Sequence, residues 1–177
     1  ENEENNRKLL EMADMLKSSP QEVVEKTRAA MESLRELRRR VDALQDKIRS
    51  GEIDNFIASA HAVGALRVVT VTLPGDAGTE DMRRMGDFLR DRAANIVAVL
   101  ASVHEDKITF LAVCGKEAVA AGVKAGDIIR QVTAITGGKG GGKPDSAMGG
   151  GKDVLMLDNA LAMVDNFVAM KLGLNKE

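Results

Sequence analysis

The 177-residue sequence has no tyrosine, no tryptophan and only four phenylalanines. Its core must therefore be aliphatic, and the hydrophobic fraction of 44% is enough to build one. A single cysteine, Cys114, excludes an intrachain disulfide and suits a reducing compartment. With only His61 and His104 beside it, Cys114 has too few partners at the wrong spacing for a zinc site. No apolar run approaches ~20 residues, so no membrane-spanning helix is expected. Twenty-five Lys and Arg stand against 27 Asp and Glu, a net charge of −2. There is thus no global field to attract nucleic acid, and any basic site must be local. Paired acids and bases spaced for catalysis are not evident. The chain opens on Glu1-Asn2-Glu3-Glu4, without Met or a signal-like stretch, and reads as a piece of a longer protein.

What is present divides into a helical part, residues 1–50, and a globular part, residues 51–177. Residues 1–17 read as a helix with Leu9, Met12, Ala13 and Leu16 on one face. Ser19-Pro20-Gln21-Glu22 is a start signal: a Ser cap, Pro at the first helical position, and Glu three residues after the cap. The helix that follows, to about residue 50, carries Val23, Thr27, Ala30, Leu34, Leu37, Val41, Leu44 and Ile48 at alternating spacings of four and three. That is a heptad seam, and it needs a partner: the first helix folded back, a second copy, or another part of the parent protein. Arg38-Arg39-Arg40 lies on this helix. It reads as a solvated face neutralised by Glu36 and Asp42, or as a patch that tracks an RNA backbone.

The globular part reads as α+β, a small mixed sheet packed with helices. Residues 52–63 suggest a short helix, and 66–73 a β-branched strand. Thr79 is expected to cap a helix with Met82, Met85, Phe88 and Leu89 buried. The apolar run 95–103 reads as a buried strand, joined through His104-Glu105-Asp106 to another over 107–114. Cys114 is expected to pack as a small hydrophobe. His61 and His104 have no neighbouring nucleophile or ligand set. Short helices are expected over 116–121 and 125–136, the second stopping at Gly137. A last helix from about 154, capped by Asp153, ends at Gly173. Met156, Met163 and Met170, like Met82 and Met85, are expected on core faces.

Between the last two helices lies GGKGGGKPDSAMGGG, residues 137–151, with eight glycines. Such a segment can present main-chain N–H groups in concave turns that hold anions. Lys139, Lys143 and Lys152 add positive charge, and Gly140, Gly141 and Gly142 would supply N–H donors. The span fits the first seven positions of a P-loop. Pro144 stands where the magnesium-binding hydroxyl should be, and the preceding segment is a helix rather than a strand. The dinucleotide GxGxxG spacing is not met either. Asp145 is expected to hydrogen-bond locally in a turn. A flexible linker is the alternative reading of the same composition. If RNA is the ligand, four phenylalanines in apolar patterns offer no stacking platform, so recognition would be by shape and phosphate.

The string ITGGKGGGKPDSAMGGGKD, residues 135–153, resembles the C-terminal domain of alanyl-tRNA synthetase. The resemblance extends to the Met15–Lys26 segment and the heptad helix, which look like the linker before that domain. DHH-type phosphoesterases carry a related substrate-binding domain, but there the glycine triplet is usually followed by His, whereas here Lys143 follows. The resemblance implies a parent that is a cytoplasmic, ATP-dependent ligase joining alanine to its tRNA, with magnesium and zinc in its other parts. This piece would be a non-catalytic accessory domain without a cofactor, contacting the outer corner of folded tRNA through Lys139, Gly140–Gly142, Lys143 and Lys152. It would also dimerise through the helical segment, with Leu34, Leu37, Val41, Leu44 and Ile48 in the seam. The alternative is the substrate-binding domain of a DHH-type phosphoesterase. The paired histidines of the editing site and the DHH triad have no counterpart here.

Overall fold

Two adjacent apolar runs, β3 (Ile96–His104) and β4 (Lys107–Cys114), pair antiparallel and form the centre of a six-stranded sheet. Both central residues of the turn between them are left-handed, Glu105 at φ 47° and Asp106 at φ 59°. That geometry matches the twist of the strands it joins. The computed structural model describes residues 2–174. On one side of β3 lies β2 (Leu66–Leu73), parallel to it, and beyond that the short antiparallel β1 (His61–Val63). The parallel pairing needs a crossover, supplied by helix α3 (Thr79–Arg92). On the other side of β4 lie β6 (Ser146–Gly151) and then β5 (Lys139–Gly142), both antiparallel. The order is β1-β2-β3-β4-β6-β5.

Strand residues alternate between two apolar layers, as a period of two dictates. Val97, Val99, Phe110, Ala112 and Cys114 face α4 (Lys116–Ala120), α5 (Ala125–Ile135) and α6 (Leu157–Lys171). Ile96, Ala98, Leu100, Leu111 and Val113 face α3 and the final turns of α2 (Val23–Ser59). Phe110, Leu100, Ile128 and Ile129 are at most 1% exposed. Each such side chain stabilises the fold by roughly 1.5–3 kcal/mol.

Several expectations are corrected. Residues 52–59 are not a separate helix but the end of α2. Gly51 does not break it, because Ile53 is fully buried and Phe56 and Ile57 pack beside it on the sheet. Arg92 bonds Ser50 and Asp54, and Arg67 donates to the Ile57 carbonyl at 2.6 Å. This burial and bonding outweigh the ~1 kcal/mol cost of a helical glycine. The cap of α3 is Gly78, and Thr79 is already helical. Phe88 is 39% exposed rather than buried. Met163 and Met170 are about half exposed and line an apolar groove between α5 and α6 with Phe167. Asp153 makes no side-chain cap.

Contacts divide the chain after Ile48. The first unit contains α1 (Asn2–Met15) and the first part of α2. Glu22 accepts from the Ser19 backbone N–H at 3.2 Å and from its hydroxyl at 2.8 Å, as the start signal predicts. Ser19 thereby holds the Glu22 carboxyl below the usual glutamate range. Leu34, Leu37, Val41, Leu44 and Ile48 are each 50% or more exposed, so the seam is uncovered in the single chain. Arg40 pairs with Glu36 at 2.6 Å on the same solvated face.

Candidate nucleic-acid interface

The glycine-rich segment is neither a loop nor a nest. It is the β5–β6 hairpin, closed by a turn over Lys143–Ser146 in which the Lys143 N–H donates to the Ser146 carbonyl at 3.0 Å. The sequence concealed this because glycine carries no strand propensity. Neighbouring elements fix the turn. The Asp145 carbonyl accepts from the Cys114 N–H at 3.0 Å, and the Pro144 carbonyl from the Ala125 N–H at 2.7 Å. The Asp145 carboxylate does not bond locally as expected. It accepts from Arg90 at 2.7 Å, and Arg90 also reaches Asp87 at 3.0 Å.

The register assigns each backbone group a direction. Lys143 and Ser146 form a hydrogen-bonded pair, so in an antiparallel ladder Gly141–Met148 and Lys139–Gly150 are hydrogen-bonded pairs too. Gly140 and Gly142 lie at the alternate positions and turn their N–H groups to the open edge of β5. Gly141, expected as a third donor, spends its N–H on β6.

The two faces of the hairpin use glycine differently. On the α5 face a Cβ at Gly140 would lie 2.6 Å from Ile129 Cγ2, and one at Gly149 2.7 Å from Thr133 Cγ2. At Gly151 it would lie 2.3 Å from Thr136 Oγ1. These glycines let α5 sit directly on the sheet. Thr133 and Thr136 are buried there, each donating its hydroxyl to the helix carbonyl four residues back. On the opposite face a Cβ at Gly141 meets nothing within 4 Å, and one at Gly150 meets only the Ile108 carbonyl at 3.5 Å. That face is open at Gly141 and Gly150, while Met148, paired with Gly141, packs beside them against the second core layer and meets Arg83 Nε at 3.3 Å.

The six residues expected to form one site do not converge on one point. Lys139 and Lys152 line a concavity of about 500 Å³ at one end of the hairpin, floored by Gly138, Gly150 and Gly151. Lys143 lies at the other end, in a concavity of about 590 Å³ with Arg83, Arg90, Asp87 and Asp145. The two ends are about 13 Å apart along β5. The first end also receives Lys107, which sequence reasoning missed. Register could have found it only once β4 was known to adjoin β6, because Ile108 pairs with Gly151. All four lysines are exposed, and none has an ion-pair partner within 4.0 Å among the described residues.

Elsewhere, Cys114 is fully buried, and burial, then Asp145 and Asp127, push its thiol up to about 12. It is an inert core residue, as expected. His61 is paired, its Nε2 lying 2.8 Å from Asp165 Oδ2. Among the described residues no cluster of His, Cys, Asp or Glu could hold a metal ion, and no helix is long and apolar enough to cross a membrane.

Known proteins resemble this chain in sequence and fold. A family model described as the DHHA1 domain covers residues 65–170. The alanine–tRNA ligase of Alkaliphilus oremlandii is 33% identical over 171 residues, which is 97% of this chain and 19% of that protein. That of Pseudomonas fluorescens is 37% identical over 160 residues, 90% of this chain and 18% of that protein. The chain thus spans under a fifth of the length of these relatives. Among solved structures, the C-Ala domain of Aquifex aeolicus alanyl-tRNA synthetase superposes with a TM-score of 0.58 at 30% identity. The match covers 98% of that domain and 63% of this chain.

Proposed function

Because the chain belongs to the DHHA1 domain family, and to its alanyl-tRNA synthetase branch, we propose that it is the tRNA-binding accessory domain of an alanine–tRNA ligase. Its work is to hold folded tRNA while the parent, a cytoplasmic ATP-dependent ligase, charges the tRNA with alanine and edits it. The observation that carries this reading is the outer face of the β5–β6 hairpin, open main chain at Gly141 and Gly150 with exposed lysines at both ends. An A-form backbone can lie against such a face, and the lack of exposed aromatic pairs suits recognition by shape and phosphate. Glycine N–H groups at the β5 edge and Lys139, Lys143 and Lys152 are the contacts.

The parent's ATP, magnesium and zinc belong to its other parts. Among the described residues there is no metal-ligand cluster. The uncovered heptad seam on α2 supports homodimerisation through the helical part. A mobility-shift titration with folded tRNA over a salt series tests the binding reading. Binding should weaken with salt, and replacing Lys139 and Lys143 by Ala should lower the slope by up to ~1 per lost phosphate contact. No shift at low salt, or an unchanged slope, would count against it. Sedimentation of the intact chain and of its Leu34→Glu/Leu44→Glu variant tests the dimer: a monomer in both cases removes that part of the reading.

A further inference from the structure

The two ends of the hairpin differ in what surrounds their cations. The Lys143 end mixes three positive groups, Arg83, Arg90 and Lys143, with the carboxylates of Asp87 and Asp145. Arg90 is committed to both acids. An incoming anion there finds three cations offset by two carboxylates. The opposite concavity is lined by Lys107, Lys139 and Lys152 and by no carboxylate. The nearest acids in sequence, Glu105, Asp106 and Asp153, lie outside its lining. Its floor is glycine main chain, and Lys139 and Gly150 pair directly across the ladder. Three ammonium groups from three different segments, with no acid among them, repel one another unless an anion sits between them.

We propose that Lys107, Lys139 and Lys152 form one phosphate seat, and that Lys143 is not part of it. The chemistry fits a phosphodiester of an RNA backbone or a free polyphosphate. The choice of RNA rests on the function proposed above; the seat itself does not. Gly150 keeps the seat open. A side chain there would clear the fold, with the Ile108 carbonyl 3.5 Å from its Cβ, and would project into the concavity.

The test uses the intact chain, titrated with folded tRNA and, separately, with inorganic tripolyphosphate. The proteins are wild type, Lys107→Ala, Lys139→Ala, Lys152→Ala, Lys143→Ala and Gly150→Leu. Thermal melting confirms that each is folded, and Lys107→Gln replaces any Lys107→Ala protein that is not. The three seat variants should each weaken both ligands about fivefold and lower the salt slope by ~1. Gly150→Leu should do the same without loss of charge, while Lys143→Ala should change tripolyphosphate affinity less than twofold. If tripolyphosphate binds through these three lysines but tRNA does not bind at all, the seat stands and the RNA reading falls. If tRNA binds normally to Lys107→Ala and tripolyphosphate is equally indifferent, the seat is overturned and the RNA reading stands. Failure of wild type to bind either ligand overturns both.

Discussion

On the α5 side of the hairpin a Cβ at Gly151 would sit 2.3 Å from Thr136 Oγ1, whereas on the opposite side a Cβ at Gly141 meets nothing within 4 Å. One short hairpin therefore holds glycines for two unrelated reasons. The inner set, Gly138, Gly140, Gly142, Gly149 and Gly151, removes Cβ atoms that would strike backbone or buried side chains. The outer pair, Gly141 and Gly150, removes atoms the fold could accommodate. The inner set explains itself through packing. Packing within the fold does not explain the outer pair. A glycine-rich motif is thus not a single signal, and its residues must be separated by face before any is given to a ligand.

The largest effect expected from this comparison is on stability. At Gly138 an added Cβ would fall 1.7 Å from the Gly150 carbonyl oxygen, which is backbone and cannot rotate away. Gly138→Ala should cost about 3 kcal/mol, and Gly149→Ala and Gly151→Ala about 1–3 kcal/mol each. Urea unfolding monitored by circular dichroism measures this. If all three unfold at the wild-type midpoint, α5 does not sit as closely on the hairpin as the distances require.

The next effect concerns pH and the same inner layer. Cys114 faces the helices beside Ala112 and Ala118, and its thiol is raised from 9.0 to about 12. A raised acid contributes stability that is fully present below its unfolded value and lost as pH rises toward the folded one. Between pH 9 and 12 the unfolded chain ionises its thiol and the folded chain does not. The wild type should therefore lose about 2 kcal/mol by pH 10.5 relative to Cys114→Ala. Parallel stability–pH curves for the two proteins would mean that the thiol is not sealed in the core.

How much of this was legible beforehand depended on side chains. Strands β2, β3 and β4 were readable because β-branched runs mark a buried sheet. The Ser19–Glu22 start signal was readable because capping uses specific atoms. The hairpin was not, because eight glycines announce backbone freedom and say nothing of pairing. Its strand conformation comes from β4 and α5, through Phe110 opposite Gly149 and Ile129 against Gly140. Lys139, Lys143 and Lys152 were picked out by composition, whereas Lys107 joins them only through strand order and Arg83 and Arg90 only through the packing of α3 beside the hairpin. Asp145 was misread for the same reason: its partner Arg90 is 55 residues away in sequence.

A smaller effect belongs to the hairpin's turn. Arg90 has a side chain 24% exposed and bridges Asp87 to Asp145, tying α3 to the Lys143–Ser146 turn. Arg90→Ala should cost about 1 kcal/mol, well below the inner glycines. It should also raise hydrogen exchange at the Lys143 amide. Undiminished protection there would show that the Cys114 and Ala125 backbone bonds hold the turn alone.

The smallest stability effect is the one that separates the two faces most cleanly. Gly141 lies in an extended strand, outside the left-handed region, so alanine fits its backbone without strain. Its Cβ would enter open space. Gly141→Ala should leave stability within ~0.5 kcal/mol of wild type, or raise it slightly by restricting the unfolded chain. If the outer face is where a phosphate backbone lies, the same substitution should weaken tRNA binding although no charge is changed, and the salt slope should stay constant. A larger residue, Gly141→Leu, should extend the loss without further cost in stability. A chain that binds tRNA as well with Leu at 141 as with Gly would show that the open outer face is incidental. The inner glycines would then be the sole reason for the motif.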